Sequence, residues 1–534
     1  MSPAAAKRDA PLTLSYELAE LPSSQHRAGL AGLVLMCRWL VEQAKHERRG
    51  VCEIKTLDAH RLVLRIDRAG LGALFDQVYG ARKIERAYPR PFKGKDPKRA
   101  ETRTETNDKT GKTKEVTSYI YDLVEPKGAY LADWDPEGGP WTKLWRDMLW
   151  NILRGVPATR GPFEKRADNA PASDADDLFA QLSRTDATVD LPSTYFLGAQ
   201  AQTAENVRFR DFARYQLLLH FWSFVAPIYV PAVIDNEGKR KFEGYAIAVP
   251  DVADLEEFCA ELPDAMRERS PEITGYIPAQ AAVDIALESA LDLLARLLQR
   301  LRLRGRHQLD LVQGVDVFHV NKEGNNVRIL ATGRVDIDEI AIDHYIRLRD
   351  AYSDNRFRSQ RLRNLVEQRP WYAGFDHIFA TKPWKQTIGS RWFCRDARNA
   401  FTEYETTPTV ETSSMSEQET NADSLESLIY RVVNVYLGAK LNNKYGLKWQ
   451  DVKESKDAEK KKDYDKYREK LAKDAFLAIR SRTGSDFIDY FSGTLFSEPQ
   501  RGLSESAFTT LARALLEQPD KVRTLTLLAL SARA

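Results

Sequence analysis

Apolar and polar positions alternate along the chain with periods that change from one stretch to the next. A helical pattern opens after Leu21-Pro22-Ser23-Ser24, where Ser23 or Ser24 can cap, and runs to about residue 45. Gly29 and Gly32 lie inside it. Each interior glycine costs about 1 kcal/mol against alanine, so two at i and i+3 predict another backbone packed closely on that face. Period-two runs predict strands at 51–57 and 61–67, joined by an Asp58-Ala59-His60 turn, with a short helix at 71–78 behind them. Residues 80–118 hold Pro89, Pro91, Gly94, Pro97 and Gly111 and almost no apolar side chains. They predict a long exposed loop or a protruding β-hairpin, with 116–124 as a returning strand. A Trp-rich helix follows at 140–154.

Residues 155–190 are rich in Pro, Asp and Ala and read as a connector whose composition argues against order. The central region opens at 191–202. A compact run, Leu217-Leu218-Leu219-His220-Phe221-Trp222, leads to a strand at 228–234; Asp235-Asn236-Glu237-Gly238 turns the chain, and 242–249 returns antiparallel. Helices are predicted at 255–267 and 281–303, a second hairpin at 315–320 and 327–331, and a helical stretch at 340–367. Residues 402–424, polar and rich in Thr, Ser and Glu, read as a linker. Everything beyond is helical, at 425–441, 456–482, 485–491, 506–517 and 521–531. The apolar stripe of Leu425, Leu428, Ile429, Val432 and Val433 requires a bundle to cover it. The expected fold class is α+β and multi-domain. An N-terminal α+β domain spans 1–154, a central α+β domain with antiparallel hairpins spans 191–401, and a C-terminal α-helical bundle spans 425–534.

Composition narrows the class. A chain of 534 residues has room for about three domains. No apolar run reaches the ~18 residues that cross a bilayer, and no apolar stretch follows the basic residues of 1–10, which reads against a signal peptide. The four cysteines, Cys37, Cys52, Cys259 and Cys394, include no CxxC pair. Neither a disulfide framework nor a zinc site is expected, and a reducing cytoplasm fits them. No metal and no cofactor is expected.

Catalytic motifs are sparse. Gly111-Lys112-Thr113 ends like a phosphate-binding loop, but Thr106 stands where that loop needs Gly. No GxSxG or HExxH string occurs. His220, between Leu219 and Phe221, reads as a satisfied core histidine. One acidic cluster remains: Asp336, Asp338, Glu339, Asp343 and His344. Carboxylates that converge on Mg²⁺ can make a nuclease, so a metal-dependent nuclease using Asp336, Asp338 and Asp343 is the alternative reading. Against it, Asp336 and Asp338 alternate with Val335 and Ile337 as on a half-wet strand. The other members suit a helix start whose acids complement the dipole. The chain reads as a non-enzyme.

The net charge is only +2, yet the basic residues cluster. The 80–118 stretch carries Lys93, Lys95, Lys98 and Arg99, and continues with Lys109, Lys112 and Lys114 among diluting acids. A second cluster includes Arg300 and Arg304. A third holds Arg356, Arg358, Arg361, Lys385 and Arg391, with Trp384 and Trp392 interleaved. Cations release counterions from phosphates, and aromatic faces stack unpaired bases. These residues are therefore the candidate DNA-binding set. The bland alternative is solvated helix faces, since Arg300, Arg302 and Arg304 alternate with Leu301 and Leu303. A purely structural subunit without nucleic-acid contact is the third reading.

Four strings carry a resemblance. They are Leu21-Pro22-Ser23-Ser24-Gln25-His26-Arg27-Ala28-Gly29-Leu30-Ala31-Gly32-Leu33, then Tyr195-Phe196-Leu197-Gly198-Ala199-Gln200-Ala201-Gln202-Thr203-Ala204-Glu205-Asn206-Val207, then 217–222, and Gly244-Tyr245-Ala246-Ile247-Ala248-Val249-Pro250-Asp251-Val252. Together they resemble the large subunit of the type I CRISPR surveillance complex, Cascade, in its type I-B and MYXAN-like form. The resemblance implies a subunit at one end of a crRNA-bearing antiviral complex. Such a subunit reads the protospacer-adjacent motif (PAM) on double-stranded target DNA, helps open an R-loop, holds the displaced single strand and docks the helicase-nuclease. Guide pairing reads the sequence itself. Partners implied are the other Cascade subunits, target DNA and the helicase-nuclease, with no membrane. On this reading the basic stretch of 82–114 grips PAM-proximal duplex, and the Arg/Trp region lines the displaced-strand path. Gln25 and His26 suit a cap or packing role as well as a contact with RNA or protein. In related systems a small helical subunit is translated from inside the large-subunit gene. Met415 falls in the polar linker, and a start there would yield about 120 residues of helical protein.

Overall fold

In the computed structural model β1 (Leu12–Glu17) leads into α1 (Ser24–Gln43), which is buried on nearly all sides from Gln25 to Cys37. Ser23 caps it: its carbonyl accepts the Arg27 amide at 3.1 Å and its Oγ the His26 amide at 3.4 Å. The model describes residues 10–43, 50–106, 113–133, 139–184, 186–199, 208–234, 240–267, 281–324, 326–406, 424–454 and 457–533. Lys109, Lys112, Met415 and the 235–238 turn lie outside them. The chain divides into two units, Met1–Ala232 with Phe242–Glu339, and Val233–Lys241 with Ile340–Ala534.

In the first unit, β2 (Cys52–Leu57) and β3 (Arg61–Ile66) complete an antiparallel sheet of order β1–β3–β2, followed by α2 (Arg68–Val78). The stretch predicted as a loop or hairpin holds the hairpin, β5 (Arg99–Thr106) with β6 (Thr113–Pro126), and a third strand, β4 (Ala81–Tyr88), makes it an antiparallel sheet of order β4–β6–β5. Apolar periodicity does not mark it, because both faces are largely wet. Opposite charges and threonines paired across strands hold the register instead. Arg82 stands opposite Glu125 and Thr102 opposite Thr117, while Lys98, at the entry to β5, bridges the facing carboxylates Glu85 and Asp122 at 2.8 and 3.1 Å.

α3 (Pro140–Asn151) buries Trp141, Trp145 and Met148. The presumed connector holds two helices, α4 (Arg160–Ala167) and α5 (Asp174–Leu182). Each is fixed by large apolar anchors, Phe163 in the first and Leu178 and Phe179 in the second, that the surrounding Pro, Asp and Ala mask in composition. β7 (Thr188–Pro192) pairs with β8 (Arg208–Phe212), and α6 (Ala213–Leu218) follows. The main sheet takes β9 (Ile228–Ile234), β10 (Tyr245–Val252), β11 (Val312–Glu323) and β12 (Asn326–Asp336) in antiparallel sequence. α7 (Leu255–Arg267) and α8 (Glu288–Leu303) pack on one another, and α8 also meets β10 and β11.

α1 lies against β10 and the Trp222–Phe224 turn. The close approach predicted from Gly29 and Gly32 is present. A Cβ on Gly29 would stand 2.3 Å from the Leu218 carbonyl oxygen, and one on Gly32 2.3 Å from that of Phe221.

The second unit is helical: α9 (Glu339–Ala351), α10 (Asn355–Val366), α11 (Phe375–Thr381), α12 (Arg391–Thr406), α13 (Leu425–Tyr445), α14 (Ala458–Arg480), α15 (Glu505–Glu517) and α16 (Pro519–Arg533). The predicted helix of 340–367 breaks in two because Asp354 caps α10, while the buried Asp396 carboxylate accepts the Ser353 and Asp354 amides at 2.7 and 2.6 Å. α16 is buried from Val522 to Ala532 and meets α11, α12, α13, α14 and α15. One apolar core joins Leu348, Phe357, Phe393 and Phe401 to Ile429, Val433, Phe476 and Leu528. The helical body therefore takes in α9 to α12 as well as the helices after residue 424.

Two stability outcomes follow. Gly32→Ala forces a methyl into backbone and should destabilise the chain by ~2 kcal/mol. Gly72→Ala, in α2 with nothing within 4 Å of the new Cβ, should be neutral or stabilising by up to ~1 kcal/mol. Differential scanning calorimetry separates them, and an unshifted Gly32→Ala transition would disprove the close packing. Buried His220 supplies the other: its Nδ1 is 2.6 Å from Tyr79 Oη, and burial pulls its pKa down to about 4. The folded state favours neutral His220, so its contribution is complete above pH ~6.5, the unfolded value, and is lost as pH falls from there through about 4. Urea midpoints should fall more steeply over that window in the wild type than in His220→Gln. Equal slopes would rule out His220 as the titrating group.

Candidate nucleic-acid interface

The four strings that carry the family resemblance meet around α1. Gln25 donates from Nε2 to the Tyr195 carbonyl at 2.9 Å, and its Oε1 accepts the Leu197 amide at 3.4 Å. Gly29 and Gly32 admit the backbone of 218–221. Arg27 pairs with the buried Asp251 carboxylate on β10. His26, buried, holds Ser23 Oγ at 2.8 Å on one side, and its Nε2 stands 3.4 Å from Asp211 on the other. Both Gln25 and His26 are thus packing residues, spent inside the protein.

Arg334 Nη1 on β12 also reaches Asp251, at 2.9 Å, and its Nε reaches Asp336 at 2.6 Å. Asp336, the residue on which the nuclease reading leaned, is therefore half of an ion pair. Among the described residues no group of three or more His, Cys, Asp or Glu side chains is arranged to hold a metal ion.

The candidate cations sort by what they touch. Lys98 Nζ lies 2.8 Å from Glu85 and 3.1 Å from Asp122; Arg99 lies 2.8 Å from Glu85 and 2.9 Å from Glu101. The hydrogen bonds from Lys98 and Arg99 hold the Glu85 carboxyl down to about 2. Lys93 and Lys95 are exposed on the β4–β5 connection, where no ion pair engages them among the described residues. Lys114 falls on β6. Arg300 reaches Asp264 at 2.7 Å and Glu261 at 3.3 Å, and Arg304 reaches Glu261 at 2.6 Å. Glu261 is fully buried, so both arginines neutralise a carboxylate that water does not reach.

In the second unit, Arg356 is bound to Gln386 at 2.8 Å and to Asp354 at 3.4 Å. Arg358 is half-buried on α10. Arg361 lies 3.7 Å from Glu403 and over the rings of Tyr352 and Trp371. Trp384 is half-buried beneath Lys473, whose Nζ stands 3.6 Å from the ring centre. Lys385 and Arg391 are exposed, and Trp392 is 53% exposed with Arg395 over its face at 4.6 Å. Among the candidates whose side chains are described, two sets are exposed and outside the ion pairs above, Lys93 with Lys95 in the first unit and Lys385 and Arg391, beside Trp392, in the second.

Sequence reasoning missed the cations that α3 and α4 add near the first set, Lys143, Arg146 and Arg160. Lys143 and Arg146 sit at i and i+3, off the Trp141–Leu144–Trp145–Met148 stripe, which is the signal that marks them as outward-facing.

A model of the type I-B CRISPR Cas8b N-terminal domain matches residues 51–306, and a model of the Cas8b C-terminal domain matches 312–533. No curated protein matches the chain. With both halves covered nearly end to end, and with the resembling strings gathered into one packing centre, the chain belongs to the Cas8b family, the large subunit of type I-B CRISPR complexes.

Proposed function

We propose that this Cas8b chain is a non-catalytic, cytoplasmic DNA-binding subunit of Cascade. It meets PAM-proximal target duplex through Lys93 and Lys95, and the displaced strand through Lys385, Arg391 and Trp392. Docking of the helicase-nuclease belongs to the same reading. The observation that carries it is the pair of Cas8b matches, read together with the exposure of these cations where their neighbours are paired to carboxylates. Lys98 and Arg99 flank the contact and already share their charge with Glu85.

The test is filter binding of a PAM-bearing duplex to the reconstituted complex at several salt concentrations. Lys93→Ala with Lys95→Ala should weaken binding across sequences and lower the salt slope by about two. Arg300→Ala together with Arg304→Ala should instead destabilise the protein by ~3 kcal/mol by stranding buried Glu261, with the folded fraction binding DNA as before. A double lysine variant with unchanged affinity and slope would sink the assignment.

Internal initiation at Met415 remains part of the proposal, with one structural consequence. A product that begins there lacks α12, whose Phe401 stacks on Tyr430 at 4.6 Å and whose Arg398 Nε donates to the Ala532 carbonyl at 3.0 Å. It must cover that face of α13 and α16 in another way. Changing the Met415 codon to Leu in the native operon should abolish a C-terminal product of about 120 residues, read by immunoblot. Persistence of the same product would refute it.

A further inference from the structure

A cleft of about 800 Å³ runs between the β4–β6 face and helices α3 and α4. Its size falls within the range of small-molecule sites. Arg82, Arg86, Lys95, Lys143, Arg146 and Arg160 line it against Asp122, Glu125, Asp147 and Glu164. The carboxylates are partly spent. Glu125 is held by Arg82 at 2.7 Å and by Arg86 at 2.8 Å. Burial pushes the Asp147 carboxyl up from its ordinary range. Lys95, Lys143 and Arg160 are exposed cations on the rim.

The walls are aromatic as well as basic. Trp150 lines one side, with the Arg160 guanidinium 4.9 Å from its ring centre. Tyr88 and Phe92 line the other, and Phe92 stacks on Tyr121 at 4.4 Å while remaining 37% exposed. Tyr121 Oη accepts the Phe92 amide at 2.8 Å, which fixes that ring's backbone at the cleft mouth. An apolar small molecule would not call for this ring of cations, and a bare anion would not call for the rings. A duplex offers its phosphates but keeps its base faces inside the stack. An unpaired nucleotide presents a phosphate and an open base face together.

We propose that this cleft holds one unpaired nucleotide of a nucleic-acid strand, its base on Trp150 and Phe92 and its phosphate on Lys95, Lys143 and Arg160. The proposal rests on the nucleic-acid reading above and adds to it a pocket for a base lifted out of the stack.

The test is fluorescence anisotropy on the full chain, with a labelled single-stranded oligothymidylate 12-mer, a duplex of the same length, and dTMP as competitor. Trp150→Ala should weaken single-strand binding about ten-fold and leave duplex binding unchanged. Lys143→Ala, at an exposed position that spares the fold, should lower the single-strand salt slope by about one. Wild-type single-strand binding in both variants overturns the proposal. Displacement by dTMP as effective, per nucleotide, as the oligonucleotide identifies a free mononucleotide as the occupant and overturns the strand assignment. Lys95 belongs to both readings, so the two are separated by Trp150→Ala and Lys143→Ala, which read single-strand binding, against the Lys93/Lys95 variant, which reads duplex binding.

Discussion

The first unit depends on a helix that lacks side chains where it touches its neighbour. α1 rests backbone to backbone on 218–221 through Gly29 and Gly32, closer than any Cβ allows. That contact fixes the distance between the helix and the Trp222–Phe224 turn, and with it the depth at which Trp145, Phe224 and Tyr130 pack behind the turn. The entropy cost of two helical glycines, about 1 kcal/mol each, is offset by full burial of both helix faces. Charge then fixes the helix's rotation. Arg27 and Arg334 share the buried Asp251, and Ser24 donates to Asp316 at 2.6 Å, so α1, β10, β11 and β12 hold one register. A buried carboxylate between two guanidiniums tolerates no sliding, because moving either cation leaves a charge in low dielectric.

This explains why the strings most legible as a family signature are gathered into one packing centre. Gln25, Arg27, Gly29 and Gly32 lie on one helix, and Tyr195, Leu218 and Asp251, far from it in sequence, are constrained against it in space. Chemistry-bearing residue types within a recognisable string can serve packing alone, and here the hydrogen bonds of Gln25 to Tyr195 and Leu197 settle that role.

Legibility followed the strength of the apolar period. α7 stands at the predicted 255–267, and α1 and the helices after residue 424 stand close to their predicted spans, because each has an apolar stripe and a readable start or break; α11 and α12 were not predicted, and the one helix expected at 340–367 is two. The β4–β6–β5 sheet was legible only as a hairpin with its returning strand at 116–124; its third strand was not, since cross-strand pairs such as Arg82 with Glu125 are invisible until register is known. α4 and α5 were hidden by the prolines and aspartates around Phe163, Leu178 and Phe179. The same blindness affected charge. The linear run from Lys93 to Arg99 counts as basic in sequence despite Asp96, but folding sets Glu85, Glu101 and Asp122 against its far end and none of them against Lys93 or Lys95.

Net charge is therefore a poor guide to where this protein can meet a phosphate, and the partner of each cation is a better one. Arg300 and Arg304 face a carboxylate that has no water to replace them, so handing both to DNA would strand Glu261 in the core. Lys98 and Arg99 face carboxylates at the surface, where an exposed pair is worth little, so a phosphate can compete for them at small cost. Lys93, Lys95, Lys385 and Arg391 give up only water. Ordered this way, the cations form a gradient of availability, and its most available members lie at the β4–β5 connection, beside the α3–α4 cleft to which Lys95 belongs, and around Trp392. In the cleft and around Trp392 an aromatic face stands next to the cations, so an unpaired base can be met there as well as a phosphate.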